Sequence, residues 1–225
     1  MPQEVGPFPA ALEIDYPDRE LDRVTTFLRL FTAIPIMIVL GLVSGPMIRD
    51  RSHHSLAGSE HVAFLVLGSG GIVFLPTVLM LLFRRKYPGW WFDWNLALTK
   101  FATRCWAYLA LLRDEYPSTD EEQAVHLEIP YPDAWELNPY LPLVKWFLAI
   151  PHYVALWFLG IAVTFCVVVA WFAILFTGRY PRSLFEFVVG VFRWSLRVAA
   201  YAFLLTTDRY PPFTLERSDA GSAYT

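Results

Sequence analysis

His53, His54 and His61 are the densest group of candidate metal ligands in the chain, and imidazole binds transition metals readily. Adjacent histidines in a polar stretch set up no recognised ligand spacing, so a solvated loop is the expectation. His152 follows Pro151 inside an apolar run. It could hydrogen-bond a carbonyl freed by the proline, or face Glu186 or Arg197 across a bundle, and a satisfied structural role is expected. Gly68-Ser69-Gly70-Gly71 lacks the lysine and the preceding strand of a phosphate loop, so it reads as a site of close helix packing. No Ser-His-Asp order, metal-ligand motif or carboxylate pair emerges. The chain is therefore expected not to be an enzyme and to hold no cofactor or metal.

Two charged sets have helical spacing. Asp93, Lys100 and Arg104 are 7 and then 4 residues apart, which keeps them on one narrow stripe of a helix over 90–112. Glu186, Arg193 and Arg197 repeat that spacing on a helix over 183–205. Apolar and aromatic residues fill most of the remaining circumference, as in a helix lying in the head-group plane. In that setting the arginines would contact lipid phosphates or a partner subunit. The competing reading is a spanning helix whose stripe is buried or lines a polar cavity, which would make Arg104 and Arg197 ligand contacts.

The elements that must position these stripes are set by composition. Only 17% of the 225 residues are charged, against about 25% in soluble domains, and 56% are hydrophobic. The net charge of −3 excludes a broadly basic nucleic-acid binder. Cys105 and Cys166 read as small buried hydrophobes. The first 23 residues form an acidic, proline-containing extended segment without the features of a secretory signal.

Val24–Ile48 is long enough to span a bilayer, with Arg29 one turn inside its start, placed to snorkel to the head groups. Val62–Phe83 is a second span, followed by Arg84, Arg85 and Lys86. With the polar tip 49–61 they form a hairpin over 24–83. Leu141–Phe176 contains only Lys145 and His152 as ionisable groups. A second hairpin over 141–176, bent near Gly160, is preferred to one long tilted helix kinked at Pro151.

That preference follows from self-similarity. Leu12-Glu13-Ile14-Asp15-Tyr16-Pro17-Asp18 recurs as Leu127-Glu128-Ile129-Pro130-Tyr131-Pro132-Asp133, and Ala33-Ile34-Pro35 as Ala149-Ile150-Pro151. Tyr87-Pro88 recurs as Tyr180-Pro181, and Asp114-Glu115-Tyr116-Pro117 as Asp208-Arg209-Tyr210-Pro211. The expected fold is an all-α integral membrane protein of two tandem repeats, each an apolar helical hairpin followed by an amphipathic, interfacial helix. The repeats cover 24–117 and 141–213, joined by an acidic, proline-containing linker at 118–140 and followed by a tail at 214–225. Lys/Arg at the hairpin bases place those bases and the termini in the cytoplasm.

The block Ala170-Trp171-Phe172-Ala173-Ile174-Leu175-Phe176-Thr177-Gly178-Arg179-Tyr180-Pro181, followed by Arg193-Trp194, Arg197 and Ala200-Tyr201, resembles bacterial membrane proteins grouped as domain of unknown function 4389. The likeness is strong over 127–215 and weaker over 12–117, where Arg84-Arg85-Lys86 stands in place of Thr177-Gly178-Arg179. It implies a multi-pass protein of the bacterial inner membrane and supplies no catalytic residues. The functional expectation is a non-enzymatic accessory or scaffold subunit of a larger membrane complex. Its partners would be membrane lipids and other membrane-protein subunits or further copies of itself, and not nucleic acid. The alternatives are a transporter or binder of a lipid or other hydrophobic molecule, and a membrane-shaping protein.

Overall fold

The computed structural model describes residues 8–17, 20–43, 71–119, 121, 123–135 and 137–217. The expected hairpin tip 49–61, its three histidines and the first part of the second span lie outside the described residues. The rest is mostly helical, with six helices and one small sheet among the described residues.

Helix α1 (Arg23–Val43) starts where the Asp22 carboxylate accepts the Val24 N–H at 2.9 Å. Helix α2 (Gly71–Arg84) covers the latter part of the expected second span, runs one residue past it and stops at Arg85, whose φ is 45°. Helix α3 (Gly89–Leu109) follows Pro88, which sets an extended residue before the first turn. Pro142 opens the short α4 (Pro142–Leu148). After a break at Ala149, α5 runs from Ile150 to Thr177 as one helix of 28 residues. It closes on Gly178 at φ 74°, whose N–H reaches Ile174 O at 2.7 Å. Helix α6 (Arg182–Ala202) begins directly after Pro181.

In place of the hairpin expected over 141–176, the chain thus forms α4 and one continuous α5. The break falls beside Pro151, which cannot donate to the carbonyl of residue 147. A lone glycine such as Gly160 costs a helix only about 1 kcal/mol relative to alanine and leaves every backbone bond available, so it does not turn the chain.

The all-α expectation also needs amending. Strand β1 (Ala11–Ile14) pairs antiparallel with β2 (Val125–Glu128), with Leu12 opposite Leu127 and Glu13 opposite His126. The second strand lies in the stretch expected to be an exposed linker. Alternation decides this, because Val125, Leu127 and Ile129 are buried while His126 and Glu128 face outward.

The elements form three layers. At one side, α1 and α5 pack together; each lies on an amphipathic helix, α1 on α3 and α5 on α6. The sheet covers the far flank, β1 against α6 and β2 against α3. Both helix pairs are antiparallel. Arg29, early in α1, meets Tyr108, late in α3, while Ile36 and Leu40 cluster with Leu98, Phe101 and Cys105. Lys145 meets Tyr201, His152 meets Trp194, and a four-residue turn joins the ends of α5 and α6.

Candidate functional site

Two buried cations organise the helix pairs. Arg29 donates to Tyr108 O at 3.0 Å and Arg113 O at 2.8 Å, pairs with Asp114, and lies 4.4 Å from the Tyr108 ring centre. It does not snorkel; the side chain turns inward because a carboxylate, the Tyr108 carbonyl in the last turn of α3 and the Arg113 carbonyl just beyond it accept its N–H groups there. Lys145 is fully buried, donates to Thr207 O at 2.7 Å, contacts Asp208 at 2.7 Å and lies 5.2 Å from the Tyr201 ring centre. Burial pushes its ammonium pKa down, while hydrogen bonding and the charge of Asp208 hold it up. The other Asp114 oxygen accepts Asp22 N–H at 2.9 Å, and the other Asp208 oxygen accepts Asn138 N–H at 2.7 Å. Each aspartate therefore ties a helix start to the end of the neighbouring amphipathic helix.

The stripes come apart by depth. Asp93 and Glu186 are exposed, Lys100, Arg104 and Arg193 are half-buried, and Arg197 is buried at 1% exposure. Arg104 donates to Ser118 O at 2.7 Å, and Arg193 to Leu12 O at 2.9 Å. Arg197 gives two N–H groups to Thr214 O and Glu216 O, at 3.2 and 2.5 Å. Carbonyl oxygens, not free anions, occupy these guanidinium groups. Arg197 has no carboxylate within ion-pair distance among the described residues, and burial followed by the charge of Arg193 lowers its pKa.

The chain after α6 runs back over that helix as a strap. Phe213 stacks on the His152 ring at 4.0 Å, and Leu215 approaches Gly190 so closely that an added Cβ would lie 3.0 Å from it. Arg217 pairs with Glu13 on β1. Beneath the strap, His152 Nδ1 accepts the Trp194 indole N–H at 3.1 Å. That bond places the imidazole proton on Nε2, which is buried without a partner among the described residues. His152 and Arg197 thus share the strap, while Glu186 stays on the exposed side of α6.

A polar groove of about 600 Å³ opens beside the sheet, lined by Asp15, Arg113, Glu115, Glu121, Gln123 and His126 among others. His126 Nε2 lies 3.3 Å from Asp15, and Arg113 pairs with Glu115 at 2.8 Å. Sequence reading missed Arg29 and Lys145 as a pair. The available signal was their shared position, four residues before Ala33-Ile34-Pro35 and Ala149-Ile150-Pro151, together with the closing aspartates 114 and 208.

Together the elements define a mostly helical chain with two helices, α1 and α5, long and apolar enough to cross a membrane. Residues 142–214 match the family model described as Domain of unknown function (DUF4389), and a second tandem copy is not detected. No curated protein and no solved structure matches the chain.

Proposed function

We propose that the chain is a non-enzymatic, membrane-embedded scaffold, an accessory subunit that packs lipid and other membrane proteins against a rigid two-part body in the bacterial inner membrane. One observation carries the reading. The outward faces of α1 and α5 expose Phe27, Phe31, Trp157, Phe158, Phe165 and Phe172, while their opposite faces are buried on α3 and α6. Apolar area of that extent marks a contact with lipid or protein. Purification from native membrane in mild detergent, with mass spectrometry of everything retained, tests it. Stoichiometric subunits are the expected result; a chain that is always alone in native lipid overturns the scaffold role.

The two parts read as duplicated halves that exchange their lead-in segments. Leu12 pairs with its own counterpart Leu127 across the sheet. Tyr16 OH donates to Tyr180 O, as Tyr131 OH does to Tyr87 O, and Tyr16 meets Phe185 edge-on at 5.1 Å as Tyr131 meets Phe92 at 5.2 Å. A pseudo-two-fold arrangement accounts for such crossed pairs. Co-expression of 1–118 with 119–225 as separate chains should then give a stable complex; two halves that never associate speak against the exchange.

A second reading, a binder of a hydrophobic molecule, draws on the unpartnered His152 Nε2 beside Trp194 and Phe213. A small molecule retained by the wild type and lost in His152→Leu would favour it.

A further inference from the structure

We infer that α1 and α5 lie along one face of the bilayer as an apolar floor within a single leaflet, instead of crossing it. The inference rests on the membrane reading above and specifies how the chain is embedded. Length and hydropathy alone allow either orientation, since 28 residues span about 42 Å of helix. The layer packed behind α5 decides between them. Helix α6 runs antiparallel along α5, so if one crossed the membrane the other would cross beside it at the same depth.

The far flank of α6 is covered at mid-helix. Leu12 O accepts from Arg193 and Leu215 lies on Gly190, while Tyr16 meets Phe185 nearer the start of the helix. A crossing α5 would therefore carry β1 and its partner β2 to the middle of the hydrocarbon. The outward face of that sheet presents Glu13, Asp15, His126 and Glu128. Charged side chains at the bilayer centre are strongly disfavoured, and open strand edges do not occur in lipid. The sheet and the neighbouring polar groove therefore sit in water, with α3 and α6 beneath them and α1 and α5 on the side away from them.

That opposite side has the composition a leaflet requires. Between Val24 and Val43 the one charged residue is Arg29, which is buried, and Ile150–Thr177 contains no Asp, Glu, Lys or Arg. The floor continues into α4, where Leu143, Val144, Trp146 and Phe147 are exposed and Lys145 is turned inward. An in-plane helix sinks its apolar face about 5–10 Å, a depth that takes in most of one helix diameter of about 10–12 Å. Arg23 at the start of α1 and Arg179 just past the end of α5 are exposed, as are Arg84, Arg85 and Lys86 at the end of α2, and such cations suit anionic head groups.

The test uses the full chain in sealed vesicles of zwitterionic and anionic phospholipid, in a Cys166→Ala background that keeps the fully buried Cys105. Single cysteines at Tyr140 and Arg179, just outside α4 and α5, are exposed to a membrane-impermeant maleimide from one side. Nitroxides at Val154, Ile161, Phe165 and Phe172 report depth. The expected result is that both end positions label from the same side and the four outward positions lie at similar depth in one leaflet. Labelling from opposite sides, with depth greatest near Ile161 and falling toward both ends, overturns the proposal and leaves the membrane reading intact. Release of the protein by alkaline carbonate, with all four nitroxides in water, overturns the membrane reading and the proposal with it.

Discussion

Arg29 and Lys145 solve one problem in two ways. Each is a cation on the first helix of its half, buried over a tyrosine and paired with an aspartate just beyond the neighbouring amphipathic helix. The guanidinium spreads its donors over two carbonyls and a carboxylate, whereas the ammonium has one carbonyl and one carboxylate. Arginine's planar fork keeps partners when one is removed; lysine's compact charge depends on the one anion beside it. The first half therefore has the more redundant latch and the second the more brittle one.

Removing each carboxylate is the strongest way to break that contrast. Asp208→Ala leaves a fully buried ammonium with a single carbonyl, and should cost about 3–5 kcal/mol, the range for stranding a buried charge. Asp114→Ala leaves Arg29 on Tyr108 O and Arg113 O and should cost less, about 1–3 kcal/mol. Thermal unfolding of the detergent-solubilised chain ranks the two, and a larger loss for Asp114→Ala would reverse the comparison. Adding Lys145→Met to Asp208→Ala should recover most of the loss, because a volume-matched apolar side chain removes the stranded charge.

Below the latches the halves diverge in polarity. Ile36 and Phe101 pack with Leu40, Leu98 and Cys105 in the first half; at the places that the proposed duplication matches to Ile36 and Phe101, the second has His152 and Trp194, joined by a hydrogen bond. Trp194→Phe strands His152 Nδ1 and should cost about 1–3 kcal/mol. The double change His152→Ile with Trp194→Phe copies the first half and should cost less than Trp194→Phe alone. A double mutant worse than the single would mean that the polar pair has a role beyond packing, and would favour the hydrophobic-ligand reading.

The features that divide the halves were those the sequence hid best. Long apolar runs marked where α1 and α5 lie, though a hairpin was expected in place of the single α5, and the 7-then-4 spacing of the charged residues located α3 and α6, because helix periodicity is local. Arg29 read as a snorkelling residue because its partner, Asp114, is 85 residues away, and nothing local marks which way a single long side chain turns. The strand at Val125–Glu128 was visible as alternation, yet its acidic, proline-flanked surroundings resembled a tether. Its pairing with Ala11–Ile14 is long-range, and two four-residue strands carry little propensity of their own. Gly160 and Pro151 competed as the turning point of one apolar run, and backbone hydrogen bonding settled it for Pro151.

The smallest effect lies at the turns that end α2 and α5. Both close on a residue with positive φ, Arg85 at 45° and Gly178 at 74°, so the backbone makes the same left-handed stop with different side chains. A Cβ in that conformation costs about 1–2 kcal/mol, so Gly178→Ala should destabilise by about that amount. The new methyl would lie 3.3 Å from the exposed Glu20 carboxylate, which can swing away, leaving the backbone to set the cost. Arg85→Gly should move the other way, removing the Cβ strain but adding backbone entropy to the unfolded chain, for a net gain below about 1 kcal/mol. Opposite signs in the unfolding midpoints are the expected outcome. A loss at both positions would mean that the Arg85 side chain holds its turn through contacts of its own, and the two stops would then share a shape for different physical reasons.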